Sequence, residues 1–443
     1  MKNILIAVLL GLGFSHAAFT QSVPSTAVTT DSVPILAKVW TGVAGDTSIG
    51  AISRKNPLHY LHVGEAKQVK GWNTYDSPAS LTVIRQEGRH LELQFKNPKY
   101  QINEVATLSA DGKQIQIASK EATGLFTIEG DKITGCGTSQ GTNGLFGHWL
   151  GSYSAWCDEY TIGTSVAPTS KKTVATLPKV WTGILSATNF GGPTRHVPNH
   201  EANAGKKKAV QEWTTHDEAP RTITILRQEG RHIEFNYKSS RAETKFIGML
   251  SADGKQMQVS SGYSVGIWDI AENKITGCAF SRGMKGSFIH WFSNYQTYCV
   301  DFIPGASPPT PPQNVPILPK EWRGMIAHTN FGYGGKYNTN TQPHSEMRIS
   351  SYIAPRTLII QEQEGRHLKM IYKTDTKTFP LIGTLSSDGK QIAIANNYTS
   401  GILNIAKDSL TGCATSRGAT ASPTFEKWKE SYAAWCVKLA PSP

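Results

Sequence analysis

Gln86-Glu87-Gly88-Arg89-His90-Leu91-Glu92-Leu93-Gln94-Phe95 is the stretch on which the fold turns. Leu91, Leu93 and Phe95 alternate with His90, Glu92 and Gln94. That period of two describes a strand with one buried face. The run at 81–86 pairs with it through a tight turn at Glu87-Gly88. The same pentapeptide returns as Gln228-Glu229-Gly230-Arg231-His232 and as Gln363-Glu364-Gly365-Arg366-His367. In the second copy Ile233, Phe235 and Tyr237 again alternate with His232, Glu234 and Asn236.

Other marks repeat around it. Val39-Trp40-Thr41-Gly42 recurs as Val180-Trp181-Thr182-Gly183 and Glu321-Trp322-Arg323-Gly324, each step being 141 residues. Twenty-five residues separate Gln86 from Asp111, Gln228 from Asp253 and Gln363 from Asp388. A further 25 lead from each aspartate to Cys136, Cys278 or Cys413. A segment without insertions in three copies is a rigid scaffold. The stretch between the tryptophan and the glutamine varies in length and sequence, and therefore reads as a divergent loop.

Asp111-Gly112 is a hairpin signal, because a tight primed turn needs positive φ, and a further turn falls at Gly130-Asp131. With the Trp-x-Gly opening and the closing segment at 149–160, each module counts about eight strands and no helix. An antiparallel up-and-down barrel is the simplest architecture, since closure removes exposed strand edges, and a flattened sandwich is the competing arrangement. The six cysteines fall two to a module, predicting the local pairs Cys136–Cys157, Cys278–Cys299 and Cys413–Cys436.

A Trp-x-Gly opening strand, a meander of hairpins and a closing strand able to meet the first resemble the calycin group of avidins and lipocalins. The "QEG(R)" and "DGK" patterns are similar to lipocalin-like domains of uncharacterised bacterial proteins. The resemblance implies an all-β chain of three tandem calycin-like binding barrels and carries over no ligand residues.

Residues 1–17 read as a signal peptide: Lys2, an apolar run from Ile4 to Phe14, and small Ala17 at the cleavage position. The run is too short to span a bilayer, so the mature chain is expected without a membrane span, periplasmic or secreted from a bacterium. The barrels are expected at 34–160, 177–303 and 317–439. A Ser/Thr-rich linker at 161–176 and a Pro-rich linker at 304–316 join them. The formal net charge of +12 admits an acidic surface polymer as partner, beside a small ligand or another protein. The positive residues are scattered, and no nucleic-acid motif occurs. Neither a cofactor nor a metal is called for.

Candidate ligand contacts are the aromatics of the divergent stretch: Trp72 and Tyr75, then Phe190 and Trp213, then Phe331 and Tyr333. The repeated pairs Arg89-His90, Arg231-His232 and Arg366-His367 are the second set. They suit a polar ligand contact or, on an exposed strand face, a hairpin salt bridge. His59 and His62 have no counterparts in the other copies, which disfavours a metal site. Gly137-Thr138-Ser139-Gln140-Gly141 matches a nucleophile-elbow pattern, but it follows a strand cysteine, and the copies begin with Ala279 and Ala414. Only Ser139, Ser281 and Ser416 recur. The reading is a multivalent exported binding protein, its ligand met by the loop after each Trp-x-Gly. A secreted hydrolase using Ser139 and His90, or a protein-binding inhibitor or host-interaction protein, stands as the alternative.

Overall fold

The computed structural model describes residues 33–49, 72–119, 122–140, 153–163, 174–190, 213–240, 242–262, 264–282, 295–305, 315–332, 348–396, 399–417 and 432–442. These form three closed antiparallel barrels of eight strands, each strand pairing with its chain neighbours. The first holds β1 (Val39–Ile49), β2 (Trp72–Glu87), β3 (His90–Lys96), β4 (Gln101–Leu108), β5 (Gln114–Ala118), β6 (Ala122–Glu129), β7 (Lys132–Gln140) and β8 (Tyr153–Ile162). β9 (Val180–Phe190) to β16 (Tyr295–Pro304) make the second, and β17 (Glu321–Gly332) to β24 (Tyr432–Pro441) the third.

Closure rests on the glycine of Trp-x-Gly. A Cβ on Gly42, Gly183 or Gly324 would overlap the carbonyl oxygen of Glu159, Asp301 or Lys438 on the closing strand. Only a bare backbone lets the first and last strands meet there. The tryptophans Trp40, Trp181 and Trp322 are buried, and each indole nitrogen donates to the carbonyl three residues back. Gly88, Gly230 and Gly365 hold positive φ in the turns beside the repeated glutamines. The three disulfides pair as spaced, each bridging the last two strands of its barrel. Such bonds fit an oxidising compartment.

The repeated glutamine has a structural task. Gln86, Gln228 and Gln363 accept from the backbone N–H of Leu36, Leu177 and Leu318, and donate to the carbonyls of Pro34, Ala175 and Pro316. Residues 33–38, 174–179 and 315–320 are thereby stapled to their barrels, and Leu36, Leu177 and Leu318 pack onto the cores.

The barrels also pack against one another in a ring. The outer faces of β1 and β8 meet β12 (Glu243–Leu250) and β13 (Gln256–Ser260). β9 and β16 meet β20 (Thr378–Leu385) and β21 (Gln391–Ala395) in the same way, and β17 and β24 return to β4 and β5. Each contact uses two different faces, yet the third closes the circuit. Thr47 bonds His232 Nδ1 at 2.9 Å, Thr188 bonds His367 Nδ1 at 3.0 Å, and Thr329 bonds His90 Nδ1 at 2.9 Å. At every seam a disulfide sulfur lies 3.3 Å from a carbonyl oxygen of the next barrel.

These contacts correct the expectation that the repeated histidines lie on an exposed face. His232 and His367 are buried, and His90 is half-buried. Alternation with charged residues marks the outer side of a strand, but here another barrel covers that side. Among the described residues no helix is long and apolar enough to cross a membrane.

Candidate functional site

The scaffold is repeated, but the interiors are not. Three inward positions, one each from the fourth, sixth and eighth strand, set the contents. The second barrel has Phe246, Trp268 and Phe302 there, all buried. Phe235 stacks on Phe246 at 5.4 Å, and Trp268 tilts on Phe302 at 5.9 Å, so aromatic rings fill the space. The first barrel has Glu104, Phe126 and Tyr160, and the third has Leu381, Leu403 and Leu439.

Of the three leucines, Leu381 borders an open space, while Leu403 and Leu439 sit in the packed core. The third barrel contains a cavity of about 480 Å³, a volume within the range of small-molecule sites. Its walls combine Tyr372, Phe379 and Trp435 with polar groups on β17 and β18 (Arg348–Glu364). His328 stacks on Tyr352 at 4.8 Å between centroids, and the Arg356 guanidinium lies 5.7 Å from the same ring. Burial, reinforced by the Arg356 charge, lowers the His328 imidazole to about 4, so it is neutral at ordinary pH. His328 Nδ1 and Arg356 Nε are buried and have no hydrogen-bond partner. Trp435 Nε1 donates to Ser416 Oγ at 3.0 Å, and that hydroxyl is bonded to Thr399 at 2.6 Å.

The first barrel has a smaller hollow, about 50 Å³, lined by three carboxyls: Asp46, Glu104 and Asp158. The matched positions are Ala187, Phe246 and Val300 in the second barrel, and His328, Leu381 and Val437 in the third. Burial raises all three acids, Asp46 to about 6, Asp158 to about 7 and Glu104 to about 8. Tyr160 donates to Asp158 Oδ2 at 2.7 Å, while Asp158 Oδ1 has no partner.

The sequence-derived candidates divide. Tyr75 lines the first hollow, with the Lys99 ammonium 3.7 Å above its ring. Trp72, Phe190 and Phe331 pack in the seams between barrels. Phe190 stacks on Tyr295 and Phe331 on Tyr432 at 5.0 and 5.1 Å. Arg227 of the second barrel covers the Trp72 ring at 4.5 Å. Trp213 is half-buried and pairs in register with Phe190. Arg89 and Arg366 donate through Nε to Leu108 and Leu385 carbonyls at 2.8 Å, and Arg231 pairs with Asp76 at 3.2 Å. Tyr333, His59 and His62 lie outside the described residues, as does most of the divergent stretch.

The structure does not bring Ser139 and His90 together. Ser139 lines the inside of its barrel, whereas His90 is engaged on the outside with Thr329. Ser281 bonds Ser264, and Ser416 is held by Trp435 and Thr399. The groups that reasoning from motifs missed are His328, Arg356, Tyr372 and the three carboxyls. For His328 and the three carboxyls the signal was departure between copies at fixed scaffold positions, whereas Arg356 and Tyr372 match Arg221 and Tyr237 of the second copy.

No family model matches the chain, and no curated protein does. Among solved structures it is similar to a protein of unknown function from the DUF3598 family of Nostoc punctiforme, at 13% identity and TM-score 0.26, covering 61% of this chain and 97% of that one. A transferrin binding protein B double mutant from Haemophilus parasuis matches at 7% identity and TM-score 0.20, covering 92% and 76%. The corresponding protein of Neisseria meningitidis matches at 9% and 0.19, covering 93% and 78%.

Proposed function

We propose that this is an exported small-molecule-binding protein whose ligand chamber is the interior of the third barrel. The observation that carries the reading is the 480 Å³ cavity bordered by Leu381, on a scaffold whose second copy has Phe246 at that place. A cavity with buried, unpartnered polar atoms is costly to keep, and a ligand offsets that cost. Residues 1–17 supply the export signal, and the disulfides suit the destination.

The barrels on this reading offer one formed chamber rather than three equivalent ones. Native mass spectrometry of the whole chain from its producing cells should show one small molecule retained per chain. Leu381→Phe, which installs the second barrel's residue, should lose it. Retention of the ligand by Leu381→Phe, or of three equivalents by the unaltered chain, would count against the proposal.

A further inference from the structure

Resting on that reading of the third barrel, we infer that its ligand is a planar organic anion, with a carboxylate or similar oxyanion seated on Arg356 and its flat body between aromatic walls.

The Arg356 charge has no counter-ion among the described residues. Arg356 enters the chamber from β18, and no described carboxylate lies within ion-pair distance of it. Its Nη1 donates to the neighbouring Pro355 carbonyl at 2.6 Å, and Nε is buried without a partner. Other inward or seam-facing arginines of this chain do better: Arg231 has Asp76 at 3.2 Å, and Arg366 has Asp301 at 3.4 Å. A guanidinium favours a planar oxyanion, which two parallel N–H groups can grip. An oxyanion approaching Nε takes up the donor that is buried without a partner.

The surroundings discriminate further. His328 beside it is neutral and uncharged by any ordinary pH, so it contributes a hydrogen bond at Nδ1 and not a second positive charge. Tyr352 and His328 present stacked flat faces at the mouth, and Tyr372 lies roughly parallel to Trp435, 6.4 Å between centroids. Such surfaces take a conjugated or aromatic body better than a flexible chain. The matched position is Ala79 in the first barrel and Arg221 in the second, where Arg221 is buried and the places of His328 and Leu381 are taken by Ala187 and Phe246. What sets the third barrel apart is this arginine together with His328 and with Leu381 in place of Phe246, around a cavity. Lys377 and Asp375 also line the chamber, both on its exposed rim, where solvent screens them.

The test uses two probes of one shape, 2-naphthoate and the neutral 2-acetonaphthone, titrated calorimetrically into the full chain. Naphthoate should bind at least tenfold more tightly. In Arg356→Met its affinity should fall to that of acetonaphthone. Arg356→Lys, which keeps the charge but not the fork, should retain part of the preference and guards against a folding defect in the first variant. Lys377→Met should change naphthoate binding less than twofold. Equal affinities in the unaltered chain, or a preference that persists in Arg356→Met, would overturn the anion assignment and leave the chamber standing. Binding of neither probe, or binding of both unchanged in Leu381→Phe, would overturn the chamber itself.

Discussion

The second and third barrels share a fold, a disulfide, a stapled entry segment and a seam, and differ in what they enclose. One is filled by Phe246, Trp268 and Phe302, and the other has leucine at each matched place and a cavity. Strand pairing depends on backbone hydrogen bonds and turn glycines outside this triad, and the closing contact at Gly183 or Gly324 accepts either Phe302 or Leu439 beside it. Interior volume can therefore change without disturbing the scaffold. Filling contributes stability, and emptiness contributes a site.

Three measurements can break or sharpen that contrast. The largest effect is expected in the filled barrel. Trp268→Ala should cost about 3–5 kcal/mol in chemical denaturation, because the rings around it cannot collapse into the space. Phe379→Ala in the chamber wall, already half-exposed, should cost less than about 1 kcal/mol. Similar losses at the two sites would mean that the third barrel is as tightly packed as the second.

Next comes the acidic interior of the first barrel. Glu104 has its pKa raised by burial from an ordinary 4.5 to about 8. The folded chain thus keeps a proton that the unfolded chain releases, and stability falls as pH rises between those values. Glu104→Gln should gain on the order of 2 kcal/mol at pH 8 and nothing at pH 4. A melting-temperature difference that is the same at both pH values would rule out the buried carboxyl as its source.

The smallest effect is expected at a seam. Thr188 Oγ1 meets His367 Nδ1, the Thr384 hydroxyl and the Gly383 carbonyl within 3.0 Å. Thr188→Val should cost about 1–2 kcal/mol by leaving those groups buried and unpaired. Hydrogen exchange should show the loss in β9 and β20 and spare β17 and β18 on the far wall of the chamber. Faster exchange spread evenly over the third barrel would show that seam and interior are not independent.

The sequence made the scaffold legible because its rules are local. Positive φ at Gly88, the alternation through Phe95 and the repeated cysteine spacing each report on a few neighbours. The seams were harder to read. Phe246-Ile247-Gly248-Met249-Leu250 is an unbroken apolar run, the mark of a strand covered on both faces, and Leu381-Ile382-Gly383-Thr384-Leu385 nearly so. Neither run names its cover, which comes from a barrel more than 80 residues away in sequence. The chamber is harder still. Leu381 alone is an ordinary core residue, and its bordering of a space is noticed only when it is set against Phe246. Arg356 recurs only in the second copy, as Arg221 in Ala-Pro-Arg-Thr, whereas Arg366 belongs to the pentapeptide repeated in all three and fastens one barrel to another.

The ring of seams has a genetic consequence. A seam that joins two unlike faces and closes after three units is the geometry by which one-barrel chains would assemble as a homotrimer. In such a trimer every interior is encoded once, so a substitution that opens one barrel opens all three. With the units fused in tandem, each interior is inherited separately. One copy can remain packed as ballast while its neighbours drift toward an acidic hollow or an open, arginine-lined chamber.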